Sequence, residues 1–299
     1  MIFLIISLIL TFLLTLLVSG NNLSAAVGTL IGSRIVSRFY GTLIGSLGFF
    51  AGLALEGRFL KGAAISLIPH SYFYISYAFL VSFIIFFLAT IGRAPLSLTM
   101  ALAGTAIGID LRIDYSVNYN FVMLMIMFWI LAPVLSIIVS YITEKSIFDR
   151  DYKNVWRVAA TLKILIIISS FLTAFTLGAN TLGFIANVEG FNLITVIIMA
   201  VAIFLGSFFL SRGVIKRVGE EMYLMRYSNA LVSLVVSSAL VEIATIFSIP
   251  LSNTQTLTSS VFGVGISYKF KGIYMKPFFI IIMTWVVSPL LGLLLGYLV

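Results

Sequence analysis

Long apolar runs separated by short polar stretches make up most of this chain. The first run carries no charged side chain over residues 1–33, and comparable runs cover residues 72–91, 121–142, 191–210 and 227–247. A transmembrane helix needs about 20 predominantly apolar residues. The pattern therefore predicts an all-α polytopic membrane protein with room for roughly ten spanning or half-spanning helices.

Two of these runs contain a Gly-Asn stretch that is poor helix material. Gly20-Asn21-Asn22-Leu23 interrupts the first run, and Gly178-Ala179-Asn180-Thr181 ends the run that begins near residue 158. Glycine lacks a Cβ, and asparagine competes for backbone hydrogen bonds. Broken backbone in a bilayer core is tolerated only where it is buried in protein or lines a cavity. We therefore expect a helix break at each stretch, although a short loop between two ordinary helices explains either stretch alone.

The same markers recur in the same order in both halves of the chain. Pro95-Leu96-Ser97-Leu98-Thr99 matches Pro250-Leu251-Ser252-Asn253-Thr254 in four of five positions, 75 and 72 residues after the first glycine of the respective Gly-Asn stretch. A Trp-x-x-x-Pro sequence then ends 38 and 39 residues farther on, at Pro133 and Pro289. We interpret this register as an internal duplication. The predicted parts are a first transmembrane repeat (1–143), a charged cytoplasmic linker (144–157) and a second transmembrane repeat (158–299).

Duplicated halves with paired Gly- or Pro-interrupted segments point to a transporter binding site at the repeat interface. The two Gly-Asn stretches and the two Pro-Leu-Ser-x-Thr stretches would bring four helix N-termini together, each with about half a positive charge. Such a site suits a small multivalent anion held by N–H and hydroxyl donors, although plain N-capping explains any single motif. The predicted anion donors are Asn22, Ser24, Ser97, Thr99, Asn180, Thr181, Ser252, Asn253 and Thr254.

Few ionisable side chains lie inside the apolar runs. Glu242 is an intramembrane carboxylate and therefore a candidate for binding a coupling cation or a proton, with a structural pair to an arginine or a backbone donor as the alternative. Gln255 is a second candidate, because its side chain offers a carbonyl oxygen to a cation, or alternatively an amide group to the anion. Glu56 and Glu189 lie near predicted helix ends, where we expect them at the membrane interface.

Composition excludes several classes of function. Only 9% of the residues are charged and the mean hydropathy is +1.18, whereas soluble domains carry about 25% charged residues. The absence of cysteine and the single histidine leave no thiolate metal site and no pattern typical of an enzyme. We expect a transporter without a cofactor, since nothing resembles the ring of like charges that lines an anion channel. The net charge of +8 indicates cytoplasmic loops and lipid headgroups rather than nucleic acid.

The repeated stretches resemble those of the inorganic phosphate transporter (PiT) family, from Gly20 to Pro289. Residues 212–219 are also similar to the second-half signature of that family. The resemblance implies two inverted repeats with broken helices and re-entrant hairpins, a homodimer, and phosphate uptake coupled to sodium or protons. We expect a multi-pass protein of the plasma membrane whose partners are the oxyanion and the lipid bilayer.

The acidic residues of that family are missing here. Leu23 and Thr181 stand where the family has Asp, and Ala26 and Phe184 stand where it has Asn. Phosphate near neutral pH keeps a proton that a carboxylate can accept in a hydrogen bond, whereas sulfate would meet only repulsion from that carboxylate. We therefore expect sulfate, as in the sulfate permease branch of the family, whose ending is similar to the sequence from Trp285. Phosphate, coupled to sodium or protons, is the alternative.

Overall fold

The computed structural model describes residues 1–32, 34–91, 96–115, 118–148, 154–211, 227–268 and 275–299. Within these ranges the chain forms twelve α-helices and no strand. Seven segments are long and apolar enough to cross a membrane by length and composition. These observations confirm the predicted all-helical membrane fold.

Six of the described helices precede residue 144 and six follow it. The first series is α1 (Ile2–Gly32), α2 (Arg38–Glu56), α3 (Lys61–Leu67), α4 (Tyr72–Ile91), α5 (Leu98–Arg112) and α6 (Tyr119–Thr143). The second series is α7 (Val155–Leu177), α8 (Gly183–Glu189), α9 (Leu193–Leu205), α10 (Tyr227–Ile246), α11 (Asn253–Tyr268) and α12 (Met275–Gly296).

Asparagine side chains begin three of the long helices. Asn118 precedes α6, Asn154 precedes α7 and Asn192 precedes α9. Each Oδ1 accepts a hydrogen bond from the backbone N–H three residues later, at 3.0–3.1 Å. Because the first four N–H groups of a helix have no intrahelical acceptor, these caps fix where the apolar runs become helical.

The Gly-Asn stretches differ from the predicted breaks. The helix α1 continues through Gly20 and beyond it, and α7 is joined to α8 by a single π-helical turn, Gly178–Leu182. A Cβ on Gly178 would meet the backbone carbonyl oxygen of Phe49, so the glycine permits close contact between α7 and α2. Backbone groups in a bilayer must be satisfied within the chain, and a continuous helix does so without a break. Only two of the four expected helix N-termini remain, those of α5 and α11.

Contacts between the helices come in pairs that exchange the two series. The contact of α1 with α4 corresponds to that of α7 with α10. The contact of α2 with α7 corresponds to that of α9 with α1, so α9 is the counterpart of α2. The contact of α5 with α12 corresponds to that of α11 with α6. A Cβ on Gly108 of α5 would meet the carbonyl oxygen of Leu293, and one on Gly263 of α11 would meet that of Ile137. Small residues let membrane helices approach this closely. The paired contacts agree with a duplicated chain, although the division at residues 144–157 stays a prediction.

The helices α5 and α11 are too short to cross a bilayer. They contain 15 and 16 residues, fewer than the roughly 20 that a span needs. Nearly every residue of α5 from Leu98 to Asp110 is buried, as expected of a helix enclosed by other helices. Each short helix follows a long one, α4 or α10, and packs against it.

Three sequence features lie outside the described residues. They are Pro95, the central part of the charged linker (149–153) and the family-like signature at residues 212–219.

Candidate anion-binding site

The start of α5 holds the first of two equivalent hydroxyl pairs. Ser97 Oγ and Thr99 Oγ1 are buried and hydrogen-bonded to each other at 2.9 Å. Ser97 Oγ also accepts a weak hydrogen bond from the backbone N–H of Met100, which makes Ser97 the N-cap of α5. Ser288 Oγ on α12 donates to the carbonyl oxygen of Ser97 at 2.8 Å. The N-terminus of α5 is thereby attached to the last helix of the chain.

The start of α11 repeats this arrangement. Ser252 Oγ and Thr254 Oγ1 are hydrogen-bonded at 2.8 Å. Trp129 Nε1 on α6 donates to the carbonyl oxygen of Pro250 at 2.9 Å, so a helix of the first series holds the turn that precedes α11. Each short helix therefore begins with a Ser-x-Thr hydroxyl pair and is attached to the other half of the chain.

Asn180 fixes the turn between α10 and α11. Its Nδ2 donates to Thr245 Oγ1 and to the carbonyl oxygen of Ile249, both at 2.9 Å. Its Oδ1 accepts a hydrogen bond from the backbone N–H of Leu251 at 2.9 Å. Both amide hydrogens are thus in use, and Asn180 contacts an anion directly only if these bonds break.

A buried polar network surrounds the first turn of α11. Ser237 Oγ on α10 donates to Asn253 Oδ1 at 2.8 Å and lies 2.8 Å from Thr256 Oγ1. Asn253 Nδ2 and Gln255 Oε1 are buried, and neither has a partner among the described residues. Because a buried polar atom without a partner is costly, the donor Nδ2 and the acceptor Oε1 are the two atoms of this network that still lack a partner within the described part of the chain.

The two hydroxyl pairs share one apolar core. Leu98 and Met100 of α5 belong to the same buried cluster as Leu251 next to α11 and Leu182 in the π turn. None of the hydrogen bonds within the described part of the chain joins the two pairs directly. Both starts therefore adjoin one large buried cluster that runs through most of the described helices, and no hydrogen bond among the described residues joins them.

The other predicted donors lie on α1 and in the π turn after α7. Asn22 is partly buried on α1, and Thr181 is buried in the π turn. The side chain of Ser24 lies outside the described residues.

Apolar side chains fill most of the positions at which the resembled family has Asp or Asn. Leu23 is fully buried, and its side chain lies against Gly45 of α2. Ala26 and Phe184 are also fully buried in the main apolar core. Hard cations require oxygen ligands, so Leu23, Ala26 and Phe184 provide no side-chain ligand for sodium.

Glu242 has an acidic partner. Its carboxyl group lies beside that of Glu56 at the end of α2. Both groups are partly buried, and the Oε2 atom of each has no hydrogen-bond partner among the described residues. Two carboxyl groups attract each other only when a proton lies between them. Glu56 is thus not a free interfacial residue, and sequence reasoning missed the pair because its members lie on α2 and α10.

Glu189 is enclosed by protein rather than exposed at a surface. This residue ends α8 and is only 3% exposed. Its carboxylate accepts hydrogen bonds from Ser7 Oγ at 2.8 Å and from Thr11 Oγ1 at 3.4 Å, both on α1. Helix-end position in the sequence suggested exposure, whereas the packing of α8 on α1 buries the group.

Comparison with known proteins now identifies the family. A sequence profile of the phosphate transporter family matches residues 144–296, just over half of the chain. The chain belongs to the phosphate transporter family. Members of this family are membrane transporters, which agrees with the transport role that the sequence predicts.

Individual relatives carry two different substrate names. A Methanocaldococcus jannaschii protein provisionally named a phosphate permease is 25% identical over 98% of this chain and 96% of its own length. The sulfate permease CysP of Bacillus subtilis is 22% identical over 94% of this chain and 82% of its own length. A solved structure titled as the sodium-dependent phosphate transporter covers 100% of this chain and 98% of its own, with a TM-score of 0.87 at 18% identity. That likeness shows a common fold.

Proposed function

We propose that this protein is a secondary transporter that moves inorganic phosphate across a membrane by alternating access. The observation that carries the proposal is the pair of equivalent Ser-x-Thr hydroxyl groups, Ser97 with Thr99 and Ser252 with Thr254, at the starts of two short helices. Helix N-termini bind oxyanions because their first N–H groups lack intrahelical partners and carry partial positive charge. The family profile and the name of the archaeal relative support phosphate as the anion.

Sulfate is the second candidate substrate, and the lost acidic residues favour it. The apolar Leu23 and the neutral Thr181 replace carboxylates that would accept a hydrogen bond from protonated phosphate. The similarity to a sulfate permease supports the same candidate. The family profile and the archaeal relative carry the name of phosphate, so we place phosphate first, although the sequence alone favours sulfate.

For the coupling ion, the pair of Glu56 and Glu242 supports a proton. Two neighbouring carboxyl groups repel each other unless a proton is bound to one of them, and intramembrane carboxyl groups commonly relay protons in transporters. Sodium is the alternative, with the buried Gln255 Oε1 as one oxygen ligand. The positions of Leu23, Ala26 and Phe184 argue against a sodium site built from their side chains.

The cellular setting follows from the resemblance and from the pattern of charges. We propose a homodimer in the plasma membrane, with the linker at residues 144–157 in the cytoplasm. Helices such as α6 expose many large apolar side chains, among them Met123, Ile130 and Leu131. This surface suits contact with lipid acyl chains or with a second copy of the chain.

Uptake of labelled phosphate into proteoliposomes tests this function. We expect saturable uptake, and a loss of about tenfold in the variants Ser97→Ala and Ser252→Ala, because each removes a hydroxyl donor from the anion. Ser238→Ala is the matched control, since Ser238 Oγ on α10 donates only to the carbonyl oxygen of Val235. Unsaturable flux would indicate a channel, and full uptake by both variants would overturn the proposed site.

A further inference from the structure

Glu189 is a buried carboxylate to which the anion site assigns no role. Its Oε1 and Oε2 atoms accept hydrogen bonds from Ser7 and Thr11, which lie one turn apart on α1. A carboxylate in a membrane protein interior is costly unless it is paired, and such groups mark ion and proton pathways. Two neutral hydroxyl groups satisfy its oxygen atoms but do not balance its charge.

No cation neutralises Glu189 within the described part of the chain. The interactions of its carboxyl group are limited to the hydroxyl groups of Ser7 and Thr11. The turn Gly57–Leu60 packs on α8 and contains one basic residue, Arg58. The guanidinium group of Arg58 lies 5.3 Å from the centre of the Phe191 ring. The titratable groups on the described elements that pack against α8 are Arg38, Tyr40, Glu56, Arg58, Lys61, Tyr72, Tyr74 and Tyr77.

A row of buried hydroxyl groups runs along α1 from this carboxylate. Ser7, Thr11, Thr15 and Ser19 follow one another at four-residue intervals, so each lies next to the following one on the helix surface, and all four are fully buried. The row covers about 18 Å at 1.5 Å per residue and ends beside the Gly-Asn stretch of α1. Thr15 Oγ1 and Ser19 Oγ have no hydrogen-bond partner among the described residues. These two unsatisfied groups continue the line that begins at Glu189.

We infer that Glu189 is a proton-binding site and that the hydroxyl row on α1 conducts protons between it and the Gly-Asn stretch of α1. The inference rests on the proposed transport function and adds a second proton position to it. A single proton neutralises the carboxylate, whereas a metal cation would need several more oxygen ligands than the carboxylate and two hydroxyl groups provide.

The proton transfer balances at every step. The carboxylate of Glu189 accepts a proton and becomes a carboxyl group, which then donates a hydrogen bond to the oxygen of Ser7 or Thr11. A hydroxyl group both donates and accepts, so each can pass on its own proton as it takes up another. Successive side chains at this spacing have Cβ atoms about 5–6 Å apart, a distance that one water molecule bridges.

Proton movement in proteoliposomes loaded with a pH-sensitive dye tests the inference, with a phosphate gradient as the driving force. We expect wild-type protein to acidify the lumen and Glu189→Gln to reduce this movement by about tenfold or more, because the amide cannot ionise. Phosphate binding by calorimetry should stay within about twofold of wild type, since Glu189 makes no contact with the hydroxyl pairs. Asp114→Asn is the matched control, because Asp114 is an exposed carboxylate beyond the end of α5.

A second variant keeps the inference testable if Glu189→Gln does not fold. Thr15→Val removes an unpartnered hydroxyl group from the middle of the row and keeps the side-chain volume, so we expect slower proton movement with unchanged phosphate binding. Wild-type proton movement in either folded variant would overturn the inference while leaving the anion site intact. Stimulation by external sodium that Glu189→Gln abolishes would assign the site to sodium instead. An absence of phosphate binding in wild-type protein would overturn the proposed function itself.

Discussion

The side-chain oxygen of Asn180 accepts a hydrogen bond from the backbone N–H of Leu251, 71 positions later in the chain, at 2.9 Å. The amide nitrogen of the same side chain binds Thr245 and Ile249 on the other side of the turn. One buried asparagine thereby connects the π turn after α7 to both ends of the α10–α11 connection. The position of the Ser252–Thr254 hydroxyl pair depends on this attachment.

Asn180→Ala should destabilise the protein and weaken phosphate binding together. The substitution leaves the buried N–H of Leu251 without an acceptor, and we expect a loss of about 2–4 kcal/mol. Thermal unfolding in detergent measures the effect. Asn118→Ala, which removes an exposed helix cap with a single hydrogen bond, should cost only about 1 kcal/mol. Equal effects of the two substitutions would contradict the role given to Asn180.

Thr99→Val and Thr254→Val should weaken phosphate binding to similar extents. Each substitution keeps the volume of the side chain and removes one hydroxyl group of a Ser-x-Thr pair, so we expect a loss of about tenfold in affinity. Calorimetry on purified protein measures it. A large effect of one substitution with none from the other would show that the two short helices do not contribute equally.

Glu242→Gln should remove part of the pH dependence of stability. A proton bound to Glu242 removes the repulsion between the two neighbouring carboxylates, and loss of that proton as the pH rises restores the repulsion. The midpoint temperature of thermal unfolding should therefore decrease as the pH rises from about 5 to about 8. The glutamine amide can donate to Glu56 at any pH, so the variant should show a flatter profile. An unchanged pH profile in Glu242→Gln would show that the pair holds no proton in this range.

Thr181→Asp should shift selectivity from sulfate toward phosphate. The new carboxylate introduces the Asp that the resemblance to the PiT family implies at this position, where it can accept a hydrogen bond from protonated phosphate but repels sulfate. Competition of sulfate with labelled phosphate measures the ratio of affinities. Thr181→Val is the control for loss of the hydroxyl group alone. A sulfate affinity that rises in Thr181→Asp would refute the argument from the missing acids.

The sequence predicts the parts of the fold that leave a repeated local signal. The Pro-Leu-Ser-x-Thr sequence occurs once in each half of the chain and predicts two short helices with equivalent starts. The helices α5 and α11 begin three residues after Pro95 and Pro250, respectively. The apolar runs likewise predict the long helices, because a bilayer demands a minimum length.

Features that depend on distant packing could not be predicted in this way. Gly20 indicated a break, yet its lack of a Cβ serves close packing, since a Cβ there would collide with the side chain of Leu210. Glu189 accepts a hydrogen bond from Ser7, which lies 182 positions earlier in the chain. The neighbouring residues Glu56 and Glu242 likewise come from different halves of the chain. Only the tertiary structure shows whether such groups face lipid, water or one another.

Equilibrium binding of phosphate and sulfate to purified wild-type protein tests the central claim most directly. The account predicts that phosphate binds and saturates one class of site, that sulfate competes for it, and that Ser252→Ala weakens both. Phosphate binding that Ser97→Ala and Ser252→Ala leave intact, or no binding of either anion, would contradict a tetrahedral oxyanion site at the starts of α5 and α11.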